Sequence, residues 1–141
     1  MSLRAILGDV STPNVELVHQ AFDALNRRDL DWLISHCDPD VEMHMRGVAG
    51  EPVLYVGPAG MREYFRDIGE IWQSVEFVLE DVRDLGDSVL VIFRQRFRGR
   101  GSGVDVEGRT ACTYRLRDGA LTELRSYRDV AEGLAAVGLD D

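Results

Sequence analysis

The spacing of apolar residues predicts three helices in the first half of the chain. The first begins at Thr12-Pro13, where a capping hydroxyl precedes a proline suited to the first turn. The second begins at the capping residue Asp29 and ends before Asp38-Pro39-Asp40, since the residue before a proline is pushed out of the helical region. The third has a continuous apolar face from Met61 to Trp72. Each helix therefore has one side that must be buried against something else.

Period-two alternation predicts that most of the remaining chain is strand. A short strand is expected from Val41 to Met45, followed by a loop from Gly47 to Pro58 that is long enough to form a lid. Four further strands are expected, at Val75 to Val82, Val89 to Arg98, Val104 to Leu116 and Ala120 to Arg128. Asp118-Gly119 has the composition of a two-residue hairpin turn. A closing helix is expected from Val130 to Val137, with Gly138 as its cap.

Helices gathered on one side of an antiparallel sheet define an α+β fold. The length of 141 residues suits a single domain spanning residues 1–141. No apolar run approaches the roughly 20 residues of a membrane helix, so no membrane partner is expected. The N-terminal segment is too quickly acidic for a signal peptide, which makes the cytoplasm the expected location.

The net charge of −9 argues against a nucleic-acid partner, since phosphate binding needs a surplus of basic residues. One segment points the other way: Arg94, Arg96, Arg98 and Arg100 lie near glycines and look like an RNA-binding tract. Phe93 and Phe97 alternate with these arginines, however, and that alternation is typical of a strand.

The cysteines and histidines offer no metal-ligand spacing. Cys37 and Cys112 form no CxxC motif, and the histidines show neither HxxxH nor HxH. No metal site is expected. Two free thiols are favoured over a disulfide, because disulfides are rare in the cytoplasm.

Three stretches resemble the SnoaL-like branch of the nuclear transport factor two-like superfamily. They are Ala21 to Asp31, Gly57 to Phe65, and Arg115 to Leu121 running on to Tyr127. The resemblance implies a cone-shaped, barrel-like curved antiparallel sheet, packed with three to four helices around an internal pocket. It also implies a small hydrophobic ligand and no cofactor. The superfamily contains isomerases, cyclases, hydrolases and non-catalytic binding domains, so the resemblance specifies the fold and leaves the activity open.

Matching the chain to the enzymes of this superfamily shows where it departs from them. The carboxylate base of ketosteroid isomerase-like members falls on His44, their second carboxylic acid on Cys112, and their helix tyrosine on Ala21. The last-strand carboxylate of epoxide hydrolase-like members falls on Ser126. Neither of these familiar acid–base sets is present, so an isomerase or epoxide hydrolase of the known type is not expected.

Strand alternation separates two sets of side chains whose orientation the sequence leaves open. A burial argument turns the apolar set, which includes Met43 and Phe93, toward the helices and the polar set toward water. The resemblance instead turns the polar set toward the pocket, and a second subunit then covers the apolar set in a homodimer. In that second orientation the ligand-binding residues are Glu42, Trp72, Arg94, Arg96, Cys112, Tyr114, Ser126 and Arg128, with His44 as the catalytic residue.

Each of these roles has a structural alternative. His44 would act as a general base, or would only hydrogen-bond a neighbour. Arg94 and Arg96 would clamp an anionic group, or would lie solvated or paired with Glu42. Cys112 would act as a nucleophile only if His44 lowered its pKa, and is otherwise a buried thiol. Tyr114 would donate to a ligand or simply pack, while Tyr64 and Phe65 are expected in the pocket wall and core.

Two hypotheses about function follow. In the first, the protein is a cofactor-independent enzyme for a small, mostly apolar carbonyl compound, with His44 moving protons and an arginine stabilising negative charge. In the second, it is a non-catalytic ligand-binding or accessory dimerisation domain. An acid–base pair inside the pocket separates the two, and the sequence offers only His44, Glu42 and Tyr114 for that pair.

Overall fold

The computed structural model describes residues 12–47, 49–101 and 103–139, and within them the α+β class is confirmed. The helices are α1 (Pro13–Arg27), α2 (Leu30–Ser35), α3 (Gly57–Ile71) and α4 (Val130–Ala136). The strands are β1 (Cys37–Arg46), β2 (Pro52–Val56), β3 (Trp72–Asp84), β4 (Ser88–Gly99), β5 (Asp105–Arg117) and β6 (Ala120–Ser126). None of the helices in these ranges is long and apolar enough to cross a membrane.

The predicted helix caps are confirmed. The hydroxyl oxygen of Thr12 accepts a hydrogen bond from the backbone N–H of Val15 at 3.2 Å, and Asp29 accepts from Trp32 at 3.1 Å. At the other end of the fold, Gly138 adopts a φ of 76°, as expected for a glycine that stops a helix. Local capping chemistry thus fixes where α1 and α2 begin and where α4 ends.

Two predictions around the first strand are wrong. The strand begins at Cys37 rather than Val41, with Pro39 inside it. The pairing of β1 with β6 shifts register between Cys37 and Glu42, so the missing N–H of Pro39 falls at an irregularity. The predicted loop from Gly47 to Pro58 contains β2, which pairs antiparallel with β1.

The six strands form one curved, unclosed sheet in the order β2-β1-β6-β5-β4-β3. Neighbouring strands are antiparallel except for β1 and β6, which run parallel. The β5–β6 hairpin turns at Asp118-Gly119 with φ of 52° and 77°, which confirms the predicted two-residue turn. The antiparallel sheet implied by the resemblance is therefore present, with one parallel pair added.

The main core lies between the sheet and the first three helices. Phe22 of α1 meets Phe93 of β4 edge to face at a ring distance of 5.3 Å and Tyr114 of β5 at 6.0 Å. A smaller core lies on the other face, where Leu134 of α4 packs on Leu90 of β4 and its neighbours. One face of the sheet thus forms the inner wall beneath three helices, and the other carries α4. We call these the inner face and the outer face.

The side chain of Asn26 joins α1 to the edge of the sheet. The amide of Asn26 donates to the carbonyl oxygen of Phe77 and accepts from its backbone N–H, both at 2.8 Å. Because β3 is an edge strand, these are backbone groups that no neighbouring strand reaches. The side chain therefore occupies the place of a strand partner at Phe77.

Candidate functional site

The inner face carries the apolar residues of the first and fourth strands. Met43 and Phe93 lie in the core beneath the helices, only 2% and 6% exposed, whereas their chain neighbours His44 and Arg94 lie on the outer face. The prediction that the polar set faces the pocket is therefore wrong for β1 and β4. Burying the apolar set removes apolar surface from water, and the charged groups keep their hydration.

On β5 the polar positions do point inward. Cys112 is 4% and Tyr114 5% exposed, and both belong to the core under the helices. Their partners across β4 are Val91 and Val89. The predicted grouping of these two residues with the arginines of β4 is therefore wrong, because the inner face of β4 at this level is entirely aliphatic.

The other predicted ligand-binding residues lie away from the space under the helices. Trp72 contacts Phe97 in a tilted arrangement with a ring distance of 5.1 Å. Glu42, Arg94 and Arg96 are exposed on the outer face, and Arg128 is exposed beyond β6. Ser126 lines an outer cleft together with His44. The structure thus brings His44 and Ser126 together, but separates both from Tyr114.

An internal cavity of about 50 Å³ lies between the inner face and helices α1, α2 and α3. Its wall is almost wholly apolar: Leu17, Ala21, Leu25, Trp32, Leu33, His36, Cys37, Met43, Met61, Tyr64, Phe65, Tyr114, Leu116, Leu121 and Leu124. Tyr64 and Phe65 therefore lie where they were expected. None of the lining residues is a carboxylate or an arginine, so the wall favours an apolar guest.

Two tyrosine hydroxyls supply the main polarity of this cavity. No hydrogen bond joins the hydroxyl of Tyr64 or Tyr114 to another of the described residues. Neither oxygen is sealed off, since every fully buried polar side-chain atom of the described residues has a partner. Burial raises the pKa of both hydroxyls above the usual tyrosine range, so they stay protonated. Each hydroxyl therefore keeps a proton that no described residue accepts.

The two cysteines are free thiols, as predicted. Burial raises the pKa of Cys37 to about 11 and that of Cys112 further. His44, the group proposed to activate Cys112, lies on the other face of the sheet. A nucleophilic Cys112 would need a lowered pKa, so the structure favours the buried, inert thiol.

His36 is a cavity residue that the sequence reasoning did not single out. Its ring stacks on Trp32 at 3.8 Å, and its Nδ1 lies 2.8 Å from the carbonyl oxygen of Trp32. A carbonyl oxygen can only accept, so Nδ1 carries the proton and Nε2 is the basic nitrogen. The spacing of four residues between Trp32 and His36, one helical turn, was the available signal.

A second, polar cleft of about 300 Å³ lies on the outer face between β1, β2, β6 and α4. Nε2 of His44 is 2.9 Å from Glu42, and Arg46 bonds Glu132 at 3.0 Å. Ser126 and Arg125 complete its β6 side. The described lining of the cleft thus includes arginine and glutamate side chains, which the described lining of the internal cavity lacks.

Oppositely charged rows cover the outer face of β3, β4 and β5. Glu80 accepts from both Arg94 and Arg109, which together hold its pKa below the usual range. Arg96 pairs with Glu107 at 3.3 Å in the next row. The β4 arginines are therefore exposed and paired, but with Glu80 of β3 and Glu107 of β5; the expected pairing with Glu42 is wrong, because Glu42 bonds His44.

A curved sheet wrapped around an internal cavity under three helices defines the nuclear transport factor two-like fold. Within it, the chain belongs to the SnoaL-like domain family, whose model matches residues 18–124. The expected family is therefore confirmed. No curated protein matches the chain.

Solved structures show the same fold at low identity. TerC, co-crystallised with polyporic acid, is 22% identical with a TM-score of 0.74, over 84% of this chain and 92% of its own. An NTF2-like protein of unknown function from Burkholderia pseudomallei K96243 is 18% identical with a TM-score of 0.76, over 91% and 99%. A hypothetical protein with a ketosteroid isomerase-like fold from Catenulispora acidiphila DSM 44928, in complex with trimethylamine, is 18% identical with a TM-score of 0.72, over 92% of this chain and 96% of its own. At these identities the likeness shows the fold alone.

Proposed function

We propose that the protein binds a small, mostly apolar molecule with one hydrogen-bond acceptor in its internal cavity. The observation that carries this proposal is an apolar wall containing the two unpartnered hydroxyls of Tyr64 and Tyr114. Two structures of the same fold, TerC and the Catenulispora protein, hold small organic molecules, which supports small-molecule binding as a use of this fold.

The size of the cavity limits the guest. A single buried water needs about 10–15 Å³ and a benzene-binding cavity about 150 Å³, so the 50 Å³ present here suits only a few heavy atoms without adjustment. Met43 and Met61 form part of the wall. Methionine side chains adapt readily, so a ring-sized guest would be admitted by their rearrangement.

The chemistry of the wall favours a neutral carbonyl or phenolic oxygen at the polar end of the guest. Two protonated hydroxyls can donate to one oxygen, as they would to a ketone. A carboxylate would meet no arginine in the wall, and moving an unpaired charge into apolar surroundings is costly.

Saturation-transfer NMR with acetophenone, a neutral aromatic ketone, tests this proposal, with toluene and benzoate as comparison probes. Acetophenone should bind best, and the double variant Tyr64→Phe/Tyr114→Phe should weaken it about tenfold, equivalent to about 1.4 kcal/mol. Tyr127→Phe is the matched control, since the Tyr127 hydroxyl lies near Thr113 at 3.2 Å and does not line the cavity. Equal binding of toluene and acetophenone, or no loss in the double variant, would contradict the proposal.

A second candidate is a cofactor-independent enzyme acting on the same guest, with proton transfer by His36. The observation that favours it is the basic Nε2 of a histidine in the cavity wall. His44, the base expected from the sequence, lies on the outer face and cannot fill this role. Exchange of the acetophenone methyl protons for deuterium, followed by NMR, should be catalysed by the wild type and lost in His36→Gln. If the wild type exchanges the protons no faster than buffer does, the enzyme hypothesis is contradicted and only the binding function remains.

We also propose a homodimer, joined through the outer face of β3, β4 and β5. The original reason is overturned, because Met43 and Phe93 are buried beneath the helices. The proposal is now supported by the rows of opposite charge on the outer face, which can pair with each other when two copies meet across a twofold axis. Val78 lies among these charges and is 50% exposed, so a partner copy would also bury apolar surface. Sedimentation equilibrium should give a molecular mass twice the 15.8 kDa of one chain. The variant Arg96→Glu should lower the measured mass toward that of the monomer. A monomer at micromolar concentration would rule the dimer out.

A cytoplasmic location completes the proposal. Its support is the two free thiols, Cys37 and Cys112, since thiols persist in a reducing compartment. Fractionation of cells producing the protein should recover it with cytoplasmic markers.

A further inference from the structure

Three metal-ligating side chains meet on the outer face where β1 and β6 run side by side. Glu42 and His44 are two residues apart on β1 and therefore share a face, and Glu123 of β6 lies directly opposite Glu42 in the strand register. One ligand atom from each residue lies within 4.8 Å of the others. The sequence expectation of no metal site rested on spacing along the chain, and this group forms across two strands.

We propose that Glu42, His44 and Glu123 bind a single divalent transition-metal ion such as Zn²⁺. In a tetrahedral Zn²⁺ site, bonds of about 2.0–2.2 Å separate two ligand atoms by about 3.4 Å. The three ligand atoms lie within 4.8 Å of one another, so modest side-chain rotations bring them to one ion. Nε2 of His44 and Oε1 of Glu42 are already 2.9 Å apart, which is close to the separation of neighbouring ligands.

The chemistry of the ligands selects the class of ion. A histidine nitrogen with two carboxylates suits zinc and its first-row neighbours, whereas Mg²⁺ and Ca²⁺ prefer oxygen ligands alone. Two carboxylates also match the double charge of the ion. Since the three side chains come from one face of the sheet, they occupy one side of the ion and leave positions for water on the side of the outer cleft, which His44 lines.

The competing arrangement is a pair of independent ion pairs. Arg125 donates to Glu123 at 3.2 Å, just as His44 bonds Glu42. Arg125 is 43% exposed and can turn into solvent when an ion takes its place. Exposed pairs of this kind contribute little to stability, so they set only a small barrier to exchange for a metal.

Isothermal titration calorimetry of tag-free protein, first treated with EDTA, measures the site directly. ZnCl₂ should bind at one ion per chain, and MgCl₂ should give no comparable heat. His44→Ala and Glu123→Gln should each weaken Zn²⁺ binding at least about tenfold, a loss that removal of even an outer partner of a ligand causes. Co²⁺ in place of Zn²⁺ should give an absorption band that both variants lose.

Two matched variants serve as controls. His19→Ala removes an exposed histidine on α1, and Glu107→Gln removes a glutamate paired with an arginine on the outer face. Both should bind Zn²⁺ as the wild type does. Circular dichroism checks that each variant is folded. No stoichiometric binding by the wild type, or equal binding by the wild type, His44→Ala and Glu123→Gln, would overturn the site.

Discussion

The hydroxyl of Thr12 has two partners at the start of the first helix. It accepts from the backbone N–H of Val15 at 3.2 Å and donates to the carboxylate of Asp84, at the end of β3, at 2.6 Å. That second bond is the main reason that the pKa of Asp84 lies below its usual range, with the N–H of Gly86 adding to it. One oxygen therefore caps α1 and ties it to the sheet.

Thr12→Ala should destabilise the protein by about 1–2 kcal/mol in urea denaturation, because an N-cap is lost. Thr12→Ser keeps the hydroxyl and should stay within about 0.5 kcal/mol of the wild type.

The same pair of variants predicts a change in the titration of Asp84. Its folded pKa is depressed, so its contribution is present above the unfolded pKa and is lost as the pH falls through the folded value. In Thr12→Ala the pKa of Asp84, followed by NMR, should rise toward the usual range, whereas Thr12→Ser should leave it low. An unchanged pKa in Thr12→Ala would mean that the hydroxyl does not stabilise the carboxylate.

At the residue scale, the helix caps could be predicted from the sequence. The direction in which strand side chains point could be predicted only in part. Thr12 and Asp29 act on groups three residues away, so the local sequence contains the whole interaction. The direction of His44 and Arg94 depends on which face of the sheet meets the helices. The burial argument correctly predicted that His44 and Arg94 point away from the helices. The match to family positions predicted the opposite direction, because proteins of similar fold need not use the same positions for the same role.

At the scale of elements, Gly133 of α4 marks a close approach between a helix and the sheet. A Cβ placed there would lie 2.7 Å from the Cβ of Ala111 on β5. Real Cβ atoms do not approach so closely, so the glycine lets α4 lie directly on the outer face. Gly69, near the end of α3, has no atom within 4 Å of the same position.

Gly133→Ala should therefore destabilise the protein by about 1–3 kcal/mol, the usual result of overpacking, despite the higher helix propensity of alanine. Gly69→Ala, the matched change in open space, should stabilise it by up to about 1 kcal/mol.

A double variant makes the test specific. Ala111→Gly removes the opposing methyl group, so adding it to Gly133→Ala should recover part of the loss in urea denaturation. If the loss of stability in the double variant equals the sum of the losses in the two single variants, the side chains at positions 133 and 111 do not clash.

Most elements could be predicted because their periodicity is long, and those that could not are short or interrupted. β2 has only five residues, and its alternation of half-buried and exposed positions is too brief to distinguish from a loop. The start of β1 was missed because Pro39 is a strong breaker signal, and its tolerance depends on a register shift against β6.

At the scale of the whole molecule, four acidic groups with raised pKa values lie in the core under the helices, and three of them line the internal cavity. Burial raises the pKa of Cys37 to about 11, and raises those of Cys112, Tyr64 and Tyr114 as well. Above the unfolded pKa values of about 9 to 10, the unfolded chain loses protons that the folded protein keeps. Stability should therefore be constant with respect to these groups below about pH 9 and fall above it.

Urea denaturation between pH 8 and pH 11 measures this loss, whose slope is about 1.4 kcal/mol per pH unit for each proton. Cys112→Val removes one of the four groups and should make the decline less steep. A free energy of unfolding that stays constant up to pH 11 would mean that the cavity wall admits hydroxide or opens freely.

The existence of the cavity followed from the family resemblance, but its lining did not. The wall combines residues of three helices and several strands, and the sequence does not specify which of them converge. Tyr64 and Tyr114 are fifty residues apart along the chain, and only the packing of α3 on the sheet brings Tyr64 close enough to add to the rise in the pKa of Tyr114.

The amide of Asn26 has a further consequence for behaviour in a crowded solution. An unpaired edge strand is a template on which another polypeptide can add, and β3 is the longest exposed edge of this sheet. With both backbone groups of Phe77 already bonded to Asn26, an incoming strand meets an interruption in the ladder near the middle of that edge. The side chain that anchors a helix thereby also protects the protein from aggregation by strand addition.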